Sequence, residues 1–209
     1  MKIAIVGANG KAGQLLVKEA IQRGMEVTAI IRTTNHTTAA HVLQKNLFDL
    51  TYDDVKNFDV LVDAFGAWTP ETLPQHATSI THLCDILSGT SIRLIVVGGA
   101  GSLYVNSEHT VQLMDTPEFP EPFKALASNM SKGLDILRQR NDVQWTYISP
   151  AADFQADGKK TGAYILAGEE LQTNDRGESI ISYADYATAV LDEIQNGKHL
   201  QERISVLQK

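Results

Sequence analysis

The sequence predicts an α/β fold, a doubly wound parallel sheet with helices on both faces. Three observations carry that expectation. Short apolar segments at 3–6, 27–31 and 92–97 alternate along the chain with amphipathic helical stretches. Those apolar segments lack polar alternation, which suits parallel strands covered on both sides. A glycine-rich turn then joins the first strand directly to the first helix. The 209 residues are a usual size for one domain with one core, so a single unit over 1–209 is expected.

Composition narrows the classes of function. The formal net charge is −7, which argues against general nucleic-acid binding, since that needs a basic stripe. The lone cysteine, Cys84, can form no internal disulfide, and its apolar surroundings mark it as a small core residue. Lys2 is followed by only four apolar residues before Gly7, too few for a leader segment. No apolar run approaches the ~20 residues of a membrane span. A cytoplasmic monomer or homodimer with no membrane partner is therefore expected. No Cys/His spacing suggests a metal, and no nucleophile elbow or phosphate-binding P-loop is present.

The first stretch is the most informative. Gly7, Ala8, Asn9, Gly10, Lys11, Ala12 and Gly13 place three glycines three apart between strand and helix. Gly7 suits the tight turn, Gly10 leaves room for a pyrophosphate, and Gly13 lets the helix pack close to the strand. The first helical amides would then face that anion. The plain alternative is a tight turn with no ligand. The spacing predicts a helix over 12–23 stopped by Gly24, then a strand over 26–32. Its end carries Arg32 where NAD-binding versions of the fold place a carboxylate for the ribose 2′-hydroxyl. A guanidinium pairs instead with a 2′-phosphate, so NADP(H) is expected over NAD(H), with NAD(H) possible. An exposed arginine at a strand end is the alternative.

Residues 33–44 read as a polar loop with a short helix near 39–43, followed by a third strand at 45–48. Asp49 and Leu50 form the turn before a helix starting at Thr51. A fourth strand spans 58–65 and closes at Gly66, where Ala64, Phe65 and Gly66 let a ligand approach the backbone. Trp68 follows, either lining a pocket or serving packing. The helix over 70–87 buries Ile80, Leu83, Cys84 and Leu87, with His76 and His82 expected toward solvent. The fifth strand, 92–97, leaves through glycines that suggest amides exposed to a ligand. Residues 104–122 lack periodicity, as lid or binding loops do. Helix 122–140 buries Phe123, Leu126, Ala127, Met130, Leu134 and Leu137, which leaves Ser128 and Lys132 on the opposite face. Strands follow at 143–148, 164–166 and 204–207, with a helix over 182–194 opened by Ser182 and Asp185.

Five segments, 7–13, 64–66, 97–103, 145–150 and 182–189, resemble the atypical short-chain dehydrogenase/reductases. More narrowly they resemble a small bacterial group of NADH-flavin reductases related to biliverdin-IXb/flavin reductase, in the same order and over nearly the whole chain. The resemblance implies a Rossmann-like fold and an NAD(P)H-dependent reductase. It implies Asp49 and Leu50 beside the adenine, Pro150 near the nicotinamide, and a substrate side built from loops 99–122 and 150–180. It also implies catalytic roles for Ser102 and Lys132. An incidental loop serine and a solvated lysine are the alternatives. The Tyr-x-x-x-Lys tyrosine of better-known relatives is replaced by Ser128, with Tyr104, Tyr147 and Tyr164 as displaced candidates. Without that acid, reduction of a flat conjugated acceptor, flavin or quinone, is favoured over ketone chemistry. Trp68 and Phe154 are candidate walls for such a ring. The competing expectation is a non-catalytic NAD(P)-binding redox sensor that acts through a partner protein.

Overall fold

A computed structural model describes residues 1–209. Its strands are Lys2–Val6 (β1), Glu26–Ile31 (β2), His41–Gln44 (β3), Val60–Asp63 (β4), Arg93–Val97 (β5), Gln144–Pro150 (β6), Asp153–Gln155 (β7), Tyr164–Ala167 (β8), Ile180–Ser182 (β9) and Glu202–Gln208 (β10). Its α-helices are Lys11–Gln22 (α1), Tyr52–Val55 (α2), Gln75–Leu87 (α3), Glu121–Arg138 (α4) and Tyr183–Asn196 (α5).

Eight strands form one sheet in the order β3-β2-β1-β4-β5-β6-β10-β8, parallel except for β8 at one edge. Successive side chains of each strand go to opposite faces. Ile3, Ile5, Val60, Val62 and Ile95 meet Leu16 and Val17 of α1 and Val190, Leu191 and Ile194 of α5. Ala4, Val6, Leu61, Leu94 and Val96 meet Ile80, Leu83 and Cys84 of α3 and Leu134 and Leu137 of α4. Burial on both sides is why these strands read as unbroken apolar runs, each large side chain contributing about 1.5–3 kcal/mol. Burial also pushes the Cys84 thiol up to about 12, consistent with a core residue.

The chain winds outward through β2 and β3, then returns to lay β4 on the other side of β1. The strand order therefore reverses between β1 and β4, where this architecture opens a crevice. The opposite end of the sheet is closed by ionic contacts. Arg93 donates to the Glu193 carboxylate and carbonyl and to the Thr146 hydroxyl, and His199 Nδ1 lies 2.6 Å from Glu193.

Four expectations need correction. Residues 41–44 form an edge strand on β2, and Leu47–Asp49 is a 3₁₀ turn, so the third strand lies earlier than predicted and no helix covers 39–43. Ladder pairing of His41–Gln44 with β2 overrides the helix expected to run into this segment from Ala39. The helix expected from 70 begins at Gln75, because Pro74 offers no amide to an earlier carbonyl. His76 and His82 do not face solvent. His76 is buried against the Ala67 backbone, and His82 Nε2 lies 3.0 Å from the Leu50 carbonyl. Read backward from Leu87 through Leu83 and Ile80, the helical stripe lands on His76. Finally, β7 and β9 form a small parallel ribbon that short segments did not advertise.

Gly13 sets the distance between α1 and the β1 turn. A Cβ there would stand 2.4 Å from the Gly7 carbonyl oxygen. Alanine ordinarily favours a helix over glycine by about 1 kcal/mol. Gly13→Ala is nevertheless expected to destabilise the protein by about 2–3 kcal/mol in urea denaturation without cofactor, because backbone must move. Unchanged or higher stability would show that the contact is not tight.

Candidate functional site

A cleft of about 1220 Å³ runs along the C-terminal ends of β1, β2, β4, β5 and β6. Its floor at the switch point is backbone. Gly7 holds a φ of 70°, and a Cβ there would lie 2.5 Å from the Ala64 oxygen. Gly7, Asn9, Gly10, Lys11, Ala12 and Gly13 line it, whereas Ala8 points into the core. The Asn9 side chain is committed to the protein. It donates to the Thr34 carbonyl and accepts from the His36 amide, so it ties the glycine loop to the segment beyond Arg32.

α1 is entered from Gly10 with no side-chain cap and no acid in its first turn, and Lys11 stands there instead. A cation at a helix N-terminus opposes the dipole, and its amides lack partners. A bound phosphate would offset both. Arg32 is exposed, lines the cleft and enters no ion pair. Lys45 also lines it and pairs with Asp54 at 2.7 Å. The residues present fit a dinucleotide by this uncapped helix end and the cation beside it.

Past Ala64, Phe65 and Gly66 the lining changes. Trp68 is 73% exposed, and its ring lies against Gly66. Opposite it stand Leu113, Phe119, Phe123, Leu126 and Met130, so the first half of the α4 stripe faces the cleft rather than the core. Pro150 and Phe154 also line the cleft, with the Phe154 ring packed at a 33° tilt against Tyr183, 3.9 Å between ring centroids.

Several expected site residues lie elsewhere. Asp49 is exposed outside the cleft and Leu50 is buried in the core; from this segment Lys45, Asn46 and Leu47 line the cleft. Ser102 is buried, its carbonyl accepting from Arg203, and it does not reach the cleft. Lys132 is exposed on the far face of α4. The glycines after β5 do border the cleft, at Gly98 and Gly99, and their bare backbone also serves packing. A Cβ on Gly98 would stand 2.3 Å from the Tyr147 ring, and one on Gly101 2.5 Å from Ala127. The amides of Gly98 and Gly99 are engaged within the protein, Gly98 N donating to the Ile148 carbonyl and Gly99 N to the Tyr147 hydroxyl. Tyr104 stacks on His109, and Tyr164 donates to Asp192, so neither faces the cleft. Tyr183 does, and the sequence reading passed over it.

Behind the cleft wall a void of about 10 Å³ is shared by Asp63, His76, Ser79 and Tyr147. Asp63 accepts from the Phe65 amide at 3.0 Å, but burial dominates and pushes its pKa up to about 6. Burial likewise lowers the His76 pKa and pushes Tyr147 up to about 12.

A glycine-rich strand-to-helix turn, an uncapped helix end and a cleft at the switch point define the dinucleotide-binding class of α/β fold. The chain belongs to the NAD(P)H-binding family, whose model matches residues 7–196. The YwnB protein of Bacillus subtilis is 47% identical over 99% of this chain and 98% of its own. A Streptococcus pneumoniae protein provisionally described as an NADH-flavin reductase is 53% identical over the whole of both chains, with a TM-score of 0.98. A Veillonella parvula short-chain dehydrogenase/reductase in complex with NADP is 20% identical, with a TM-score of 0.73 over 99% of this chain and 94% of its own, a likeness of fold.

The buried Asp63 has a consequence for stability. Its folded pKa, about 6, lies above the ordinary 3.8, so the folded state holds the proton more tightly. Its contribution is present below pH 4 and is lost as pH rises through about 6, for a total of about 3 kcal/mol. Asp63→Asn is expected to remove most of that pH dependence in urea titrations at pH 4 and pH 7.5. A variant that loses as much stability as the parent over this range would contradict the assignment.

Proposed function

We propose that this protein is an NAD(P)H-dependent reductase that passes hydride to a flat conjugated acceptor, a flavin or a quinone. One observation carries the reading. The uncapped α1 terminus with Lys11 and Arg32 opens, in the same cleft, onto a chamber walled by Trp68, Phe119, Phe123 and Phe154. A reduced dinucleotide supplies hydride when bound, and the single proton that completes the reduction comes from solvent.

Gly7, Gly10, Lys11 and Gly13 hold the pyrophosphate in this reading, and Arg32 pairs with a 2′-phosphate, so NADP(H) is preferred over NAD(H). Ala64, Phe65 and Gly66 carry the ribose, and Pro150 borders the nicotinamide. Trp68 and Phe154 hold the acceptor flat, and the loops at 99–122 and 150–180 build its side of a single domain over 1–209. Catalysis is then largely positioning.

Ketone reduction fits less well, because it needs an acid as alkoxide charge develops, worth ~10²–10⁴-fold. Lys132 is outside the cleft, and burial holds the Tyr183 proton more tightly. A conjugated acceptor spreads the charge and needs no such acid.

Two measurements test the reading. Arg32→Ala is expected to cut the NADP/NAD affinity ratio by about tenfold or more, the weight of a charge-assisted contact; an unchanged ratio removes Arg32 from that role. With NADPH, kcat/KM is expected to be higher for menadione or riboflavin than for simple ketones. Faster ketone reduction, abolished by Tyr183→Phe, would overturn the acceptor class. Tight cofactor binding with no turnover of any acceptor would instead favour the sensor.

A further inference from the structure

We infer that the acceptor chamber is built for uncharged rings and discriminates against phosphorylated ones, taking riboflavin-type flavins or neutral quinones in preference to flavin nucleotides. The inference rests on the reductase reading and goes on to name the acceptor's charge.

The cleft divides by sign. Its cations are Lys11, Arg32 and Lys45. They follow β1, β2 and β3, on the side of β1 away from β4, β5 and β6. The acceptor chamber lies on the other side, and its charged lining residues are Glu118 and Asp153. Both are exposed, and neither enters an ion pair. The basic side chains nearest in the chain lie outside the lining. Lys124 pairs with Glu121, Arg138 with Glu169 and Lys160 with Glu19, while Lys132 and Lys159 are exposed outside the lining. His76 reaches the chamber, but its Nε2 is held by the Ala67 backbone.

Helix ends do not replace the missing cation. α4 begins beside the chamber, yet Pro122 has no amide, the Phe123 amide donates to the Pro120 carbonyl, and the Glu121 carboxylate offsets the dipole in the first turn. α5 is capped by Ser182, which accepts from the Asp185 amide, and Asp185 also fills its first turn. A phosphate carried into this chamber meets apolar carbon and two carboxylates, with no lysine or arginine in the lining on this side. An anion that gives up water without a partner binds poorly, and like charges several ångströms apart at a protein surface add to the cost.

Riboflavin and FMN share a ring and ribityl chain and differ by one phosphate, which makes them the natural probes. With saturating NADPH at low salt, kcat/KM for riboflavin is expected to exceed that for FMN by about tenfold or more. Glu118→Lys is expected to raise the FMN/riboflavin ratio several-fold, and 1 M salt to narrow the parent's gap by screening. Equal kcat/KM for the two flavins, or preference for FMN, would overturn the inference and leave the reductase reading standing. If none of riboflavin, FMN and menadione is turned over, the reductase reading fails. Equilibrium binding of the two flavins to the NADP⁺-saturated protein then decides this point: tighter riboflavin binding supports it, and equal affinity overturns it.

Discussion

The arrangement of the whole C-terminal sheet edge depends on how closely three backbone segments meet at Gly7. Its φ of 70° turns the chain out of β1, its carbonyl accepts the Gly10 amide at 2.9 Å, and the same oxygen is the atom a Gly13 side chain would strike. The Ala64 carbonyl stands as close on the other side. β1, α1 and β4 are therefore locked by the absence of side-chain atoms. The gain is a floor of bare backbone at the point where strand order reverses, with the first amides of α1 directed outward. A methyl group at Gly7 or Gly13 would push these elements apart and fill the floor at once.

The two ends of the sheet solve opposite problems. At the N-terminal end Arg93, Glu193, Thr146 and His199 bond to one another in a largely buried network tying β5 to α5 and to the turn before β10. Removing one partner from such a pair typically costs about 3–5 kcal/mol. At the C-terminal end the helix α1 terminus and Arg32 are left without protein partners. Stability is concentrated away from the cleft, and polar groups able to take up a ligand are concentrated within it.

The sheet, its parallel sense and the glycine loop were legible because they rest on local rules: apolar runs, turn glycines and helical spacing. The acceptor side was less so. The α4 stripe from Phe123 to Leu137 is continuous in sequence, yet only its second half reaches the core, and nothing in a periodicity says where a stripe changes partner. The glycines after β5 reach the cleft at Gly98 and Gly99, and they also accommodate Tyr147 and Ala127, long-range contacts invisible to spacing. Ser102 and Lys132 were expected in the cleft from the resemblance alone, and the first is buried with its carbonyl bound by Arg203 while the second faces water. Tyr183 sits next to the capping serine of α5, a place that ordinary helix signals explain without invoking a site.

The chain has two tryptophans, and the fold gives them opposite surroundings. Trp145 is 3% exposed within β6, sealed beneath α3 and α4, whereas Trp68 stands 73% exposed at the mouth of the cleft. Their fluorescence is therefore naturally separable: blue-shifted emission from the core and red-shifted, quencher-accessible emission from the rim. The first reports whether the sheet is intact and the second whether the chamber is filled, so this molecule carries an internal reference and an occupancy gauge in a single spectrum, with no label attached.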